Sequence, residues 1–200
     1  MKKTKKKITG AFWIMVIAAV LILAGYYVLT HKGIKLGQDE VSQPSTDVEK
    51  LIAKDLELKY PSTPTEVVKL YWKLNQCMYN NSLKEKDFEA LLKQLRMLYD
   101  EEFLEAQGND WDTMLTNFKN DKKTFSKEKR LISSYSVDID STVNYATVKG
   151  RECATLNSST FETVKSKSTR TYAKFMCRKD NNGKWKILGW EKTDASESEE

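Results

Sequence analysis

Near residue 129 the spacing of apolar residues changes from helical to alternating, and that switch divides most of the chain into helices followed by strands. Upstream, Val67, Leu70, Tyr71, Leu74, Cys77 and Met78 recur on one face of a helix over 64–80. Phe88, Leu91, Leu92, Leu95 and Leu98 mark a second helix. Trp111, Met114, Leu115 and Phe118 mark another at i, i+3, i+4, i+7, and "QGND" (107–110) separates it from a short helical stretch holding Phe103 and Leu104. Downstream, "KRLISSYSVDI", "NYATVKGRECATLNSSTF", "STRTYAKFMCRK" and "KWKILGWEK" are rich in β-branched and aromatic residues and alternate roughly by two. They predict four strands, antiparallel because their connections are short. Helices first and strands after argue an α+β fold.

Local signals place the boundaries. "TDVE" (46–49), "TPTE" (63–66) and "SLKE" (82–85) each carry Thr or Ser three residues before Glu, the pattern of a capping box. They predict helix starts at 47, at Pro64 and after Ser82, the first helix running over 47–58 until "KYPSTP" breaks it. Asn182-Gly183 predicts a tight hairpin turn in which both central residues take positive φ. Beyond that turn, strict alternation puts Trp185 and Ile187 on the core face and Lys184 and Lys186 on the other. Trp190, five residues past Trp185, then falls on the face opposite Trp185 unless Gly189 marks a bulge. Trp185 therefore reads as core and Trp190 as a candidate contact residue.

The N-terminus reads differently. "MKKTKKK" carries five lysines and no acid, and Ile8–Leu29 follows as 22 residues without a charge. As a helix that run reaches about 33 Å, enough for the hydrocarbon core of a bilayer. Trp13 near one end and Tyr26 and Tyr27 near the other stand where interfacial aromatics belong. The run is longer than the apolar core of a cleaved signal peptide, and bulky "YYVLTHK" replaces a small-x-small site. The expected organisation is a cytoplasmic tail (1–7), a single-pass transmembrane signal anchor (8–29), a Gly- and Pro-containing stalk (30–45), a folded domain (46–193) and a disordered acidic tail (194–200). Lysine bias leaves the N-terminus in the cytoplasm and the domain outside it, with the lipid bilayer as a partner of the cell-membrane anchor.

The charge is a topology signal rather than a nucleic-acid signal, and no nucleic-acid partner is expected. The chain has 33 basic and 28 acidic residues, net +5, and the five lysines ahead of the anchor account for the whole excess. "KNDKKTFSKEKR" (119–130) holds six basic and two acidic residues and reads as a solvated helix end rather than a phosphate patch.

No residue set for catalysis emerges. His31 is the only histidine and lies just past the predicted membrane exit, so neither a histidine triad nor a histidine metal cluster can form in the domain. Glu66, Glu85, Asp87, Glu89, Asp100, Glu101 and Glu102 fit helix caps and solvated faces. Asp138 and Asp140 alternate in "SVDID" and share a face, either as paired carboxylates or as the wet end of a strand. Glu152 suits a cross-strand ion pair. No phosphate loop, CxxC pair or GxSxG elbow occurs. A hairpin turning at about residue 165 places Cys153 opposite Cys177, which allows either a disulfide or two small buried apolar residues; the second reading is preferred. No metal, cofactor or enzymatic activity is expected.

The stretch "DLELKYPSTPTEVVKLYWKLNQCMYNN", with "LYDEEF", "LISSYSV", "VKGRECA" and "FMCRKDNNGKWKILGWE", resembles the nuclear transport factor two-like, or cystatin-like, α+β cone. More narrowly it looks like an uncharacterised family of Gram-positive anaerobes, with one membrane helix and an exported domain of unknown function. The resemblance covers about residues 47–192. It implies helices filling the concave side of a curved antiparallel sheet, in a fold that some members use as isomerases or dehydratases and many use only to bind or assemble. The expected function is a membrane-tethered, non-catalytic interaction or assembly module with a protein partner outside the cytoplasmic membrane. The alternative is a cone that binds a small apolar ligand, lined by Tyr71, Trp111, Tyr135 and Tyr172, with Trp190 as a further contact. An isomerase- or dehydratase-like enzyme ranks last.

Overall fold

The computed structural model describes residues 46–194. The expected cytoplasmic tail, anchor and stalk, and all but the first residue of the acidic tail, lie outside the described residues. Among the described residues no helix is long and apolar enough to cross a membrane.

Helix starts follow the capping chemistry in two cases of three. Thr46 forms a complete capping box with Glu49 and opens α1 (Asp47–Ile52). Thr63 accepts the Glu66 N–H and Pro64 takes the first position of α2 (Pro64–Asn80). There the Glu66 carboxylate turns to the Ser62 N–H and hydroxyl instead of the cap residue (2.8 and 3.0 Å). "SLKE" does not cap: α3 (Glu85–Arg96) begins after Lys84, which makes no side-chain cap bond. α1 also stops well short of residue 58. The Asp55 carboxylate accepts the Glu57 and Leu58 N–H groups (2.9 and 3.1 Å) and so offers the backbone a turn in place of another helical one. Asp100 caps α4 (Glu101–Ala106) and Asp110 caps α5 (Trp111–Glu128).

The strands form one antiparallel sheet of five, not four: β1 (Arg130–Val137), β2 (Asn144–Val148), β3 (Arg151–Val164), β4 (Lys167–Lys179) and β5 (Trp185–Thr193). The order is β1-β3-β4-β5, with β2 pairing the first part of β3. The expected strand 144–161 is two strands because Lys149 and Gly150 both take positive φ (50° and 78°) and close a two-residue turn. Lysine is a poor advertisement for that conformation. The Asn182-Gly183 hairpin forms, but only Gly183 has positive φ (75°). Asp180 organises this three-residue loop, its carboxylate accepting the Asn182 and Lys184 N–H groups (both 2.9 Å).

Register settles the cysteines. Cys153 pairs with Arg178 and Ala154 with Cys177. This is one residue away from the expected alignment, and one residue in a strand reverses the face. Cys153 and Cys177 therefore point to opposite sides of the sheet, both free, and the disulfide reading is overturned. Cys177 is buried, and burial pushes its thiol up to about 12.

α2 and α3 supply most of the helical side of the core: Val67, Val68, Leu74 and Met78 from α2, Leu91, Leu92 and Leu95 from α3. They meet the sheet face carrying Ala154, Leu156, Phe175, Cys177, Trp185 and Ile187. The result is an α+β arrangement compatible with the expected cone, its interior filled by its own side chains.

Two sheet edges are closed by hydrogen bonds from outside the sheet. At β5, Ile187 donates to the Leu98 carbonyl (2.8 Å) and its own carbonyl accepts the Asp100 N–H (2.9 Å). At β1, Asn80 accepts the Ile132 N–H and donates to the Ile132 carbonyl (both 2.9 Å), which also accepts from Gln76 (2.9 Å). Asn80→Ala leaves that partly buried N–H without its partner. We expect a loss of about 1–3 kcal/mol in urea denaturation.

Candidate functional site

A bulge decides where Trp190 goes. Met176 pairs with Gly189 and Cys177 with Ile187, so Leu188 is the extra residue in β5. The bulge reverses the alternation, and Trp190 pairs with Phe175 on the core face, the same side as Trp185 and Ile187. Strict alternation is corrected here, and the Gly189 exception is the one realised. Trp190 stacks on Phe175 (5.7 Å between ring centroids) and Tyr99 (6.3 Å), and tilts against Tyr71 and Phe103 (5.4 Å each). It remains 38 % exposed.

That exposed part lies in the floor of a groove of about 600 Å³ between α4, α5 and the bulged stretch of β5. Tyr99, Phe103 and Trp190 form its aromatic floor; Leu104, Met114 and Phe118 form its apolar wall. Gly189 and Met176 complete the lining. The rim is polar, with Gln107, Asn109, Thr113, Asn117, Asp110 and Asp121. Arg96 is already committed, donating to the Asn109 side chain and to its carbonyl (3.3 Å). This pair holds the turn in which Gly108 and Asn109 take positive φ (83° and 47°). Hydrogen bonds from Thr113 hold the Asp110 carboxyl below its ordinary range, so the rim carries negative charge at neutral pH.

Of the five sequence-derived contact residues, the structure brings together two. Tyr71 is buried beneath Trp190, and its phenol is pushed up by desolvation. Trp111 starts α5 with the Lys93 ammonium over its ring at 5.7 Å, and it does not line the groove. Tyr135 lies in a separate cleft with Tyr60, Leu70 and several lysines. Tyr172 is on the other face of the sheet, beneath the Arg170 guanidinium (4.8 Å) and beside a small polar hollow. Tyr99, Phe103, Met114 and Phe118 line the groove without a sequence pattern that marks them as contact residues. The only sequence signal for the first pair is their spacing of four, which the change from extended to helical backbone at Asp100 obscures.

The acids are occupied structurally. Asp138 is past the end of β1 and its carboxylate accepts the Asn157 N–H (2.7 Å), while Asp140 enters a short 3-10 turn (Asp140–Thr142). They are not a strand-face pair. Glu152 makes an ion pair with Lys179 (2.7 Å). Asp100, 2 % exposed, is the one buried acid among the described residues. It accepts from Arg178 (Nε to Oδ2, 3.1 Å) and from the Glu102 N–H (3.0 Å). Among the described residues no group of three or more His, Cys, Asp or Glu side chains is placed to hold a metal ion.

Residues 1–190 match the family model described as a domain of unknown function, DUF6715. The chain belongs to that family. No curated protein matches it. The residues that line the groove, the last of them Trp190, all lie within the matched span.

Proposed function

We propose that this chain is a membrane-tethered, extracytoplasmic interaction module without chemistry of its own, and that the Trp190 groove is its contact site. The observation that carries the reading is a partly exposed tryptophan fixed by four aromatic neighbours in the floor of an apolar groove with a polar rim. Such a rigid, half-wet aromatic is the usual form of an interface anchor. The rim acids Asp110 and Asp121 outnumber the one lining cation, Arg96, and favour a protein segment that offers an aromatic or aliphatic side chain flanked by lysine or arginine. Tethering rests on the uncharged 22-residue run behind five lysines. The absence of catalysis is supported by Asp100 being consumed as cap and ion-pair partner, and by the lack of histidine after residue 31.

A photo-crosslinking residue in place of Asn117, in the full chain in native membranes, tests the proposal. We expect one discrete protein adduct, lost in Trp190→Ala, while the melting temperature of that variant falls by only a few degrees. An adduct that survives Trp190→Ala, or a continuous smear, removes the groove as the site. The groove volume also lies within the range of small-molecule pockets, which favours an apolar ligand as the second reading. A compound that co-purifies with the wild-type chain and is lost in Trp190→Ala would identify that occupant.

A further inference from the structure

We infer that the outer edge of β2 pairs with the same edge of a second copy of this chain, forming an antiparallel two-fold ribbon centred on Ala146. The inference is independent of the Trp190 groove. It starts from a contrast between edges. β5 is closed at Ile187 by residues 98–100, β1 is closed at Ile132 by Asn80 and Gln76, and the part of β4 that β5 leaves unpaired (167–171) carries Lys167 and Arg170. β2, "NYATV", has all five residues exposed. It carries no charge, proline or bulge, the devices that normally discourage strand addition.

The hydrogen-bonding phase of this edge follows from its turn. Lys149-Gly150 is a two-residue connection, so Val148 and Arg151 form the closing hydrogen-bonded pair. By alternation, Ala146 and Asn144 also bond inward to β3. Tyr145 and Thr147 consequently aim their N–H and C=O groups outward, and among the described residues nothing bonds to those groups. A two-fold axis at Ala146 sets Tyr145 of each copy opposite Thr147 of the other. Each such pair exchanges both backbone bonds, so the outward groups of both residues are satisfied at once.

The side chains suit the same register. At the axis the two Ala146 residues form a non-hydrogen-bonded pair, where backbones approach to about 4.5 Å between Cα atoms and small side chains fit best. No like charges meet along an uncharged strand. An antiparallel pair also brings the Lys149 end of one copy to the Asp140 end of the other. The large apolar side chains flanking the edge, Ile139, Tyr145 and Val148, are 63 %, 55 % and 51 % exposed, and pairing would cover part of that surface.

Disulfide trapping tests the register directly. Ala146 stands opposite Cys153 within the chain, so Ala146→Cys is made in a Cys153→Ser background. The full chain, expressed in its host cells, is treated with copper phenanthroline and run on non-reducing gels. We expect a dimer of the chain with itself as the main product, reversed by reductant, and little from Ser168→Cys at an exposed position on β4. Adding Thr147→Pro, which deletes an outward N–H, or Thr147→Lys, which charges the edge, should abolish the dimer while cooperative thermal unfolding persists. A purely monomeric product overturns the inference, as does equal trapping at Ser168→Cys. A main product containing a different protein overturns it too.

Discussion

Asp100→Asn should destabilise the domain by about 3–5 kcal/mol in urea denaturation, the cost of leaving one member of a buried ion pair behind. Asp100 is 2 % exposed, and the Arg178 side chain facing it is 14 % exposed. The asparagine keeps the size of the side chain and one oxygen to accept the Glu102 N–H, so the α4 cap survives. What disappears is the charge opposite Arg178, which the carboxylates of Asp100 and Glu102 together hold firmly protonated. Glu102 is well exposed and replaces little of it. Asp100→Ala should cost a further ~1 kcal/mol, because the cap is lost as well. The decisive comparison is Asp100→Asn combined with Arg178→Met. Removing both charges should recover a large part of the loss, and a double variant as unstable as the single one would show that the pair's charge is not the source of the effect. The loss should also be centred on β5, since the Asp100 N–H is one of the bonds closing that edge.

Phe175→Ala should cost about 3–5 kcal/mol, with a fall in melting temperature of roughly 10 °C or more. Phe175 is fully buried at the centre of the aromatic cluster, edge-on to Tyr71 (5.3 Å) and Trp72 (6.0 Å) and stacked with Trp190 (5.7 Å). Truncation opens a cavity beneath the groove floor, and the helices on one side and the sheet on the other have little room to collapse into it. Trp190 then loses its backing. The double variant with Trp190→Ala should therefore lose less than the two single losses added together, because part of each loss is their mutual contact. Full additivity would mean that the two rings do not support one another. Phe175→Ala should also weaken any adduct at the groove, whereas Asn80→Ala, at the far edge of the sheet, should leave the adduct intact at temperatures below its melting point.

The α2 boundaries were legible in full. A cap, a proline at the first position and a helical apolar period are local signals, and tertiary packing had nothing to override there. The α+β order and the antiparallel connections were legible for a related reason, since period and loop length are properties of the chain itself. The missed boundaries share a cause too. At residue 55 a side chain competed for backbone N–H groups, and at Lys149 a residue of low turn preference took positive φ. In both cases the local pattern named a permitted conformation and the wrong one was favoured.

The site depended on features with a longer reach. Strict alternation puts Trp190 on the wrong face and the Gly189 exception on the right one, because one unpaired residue at Leu188 reverses the alternation for everything after it. Cys153 and Cys177 show the same sensitivity: a shift of one position separated two thiols that spacing had placed together. The groove itself is made of residues from α4, α5 and β5 that are distant in sequence, and it exists only once the 97–100 segment has docked on β5. By itself, then, the sequence determined element type and the order of helices before strands, which are set by local preference and loop length. Only the tertiary structure decided which aromatic rings share a wall and which uncharged strand edge is left open, because register and docking are fixed by contacts between residues far apart in the chain.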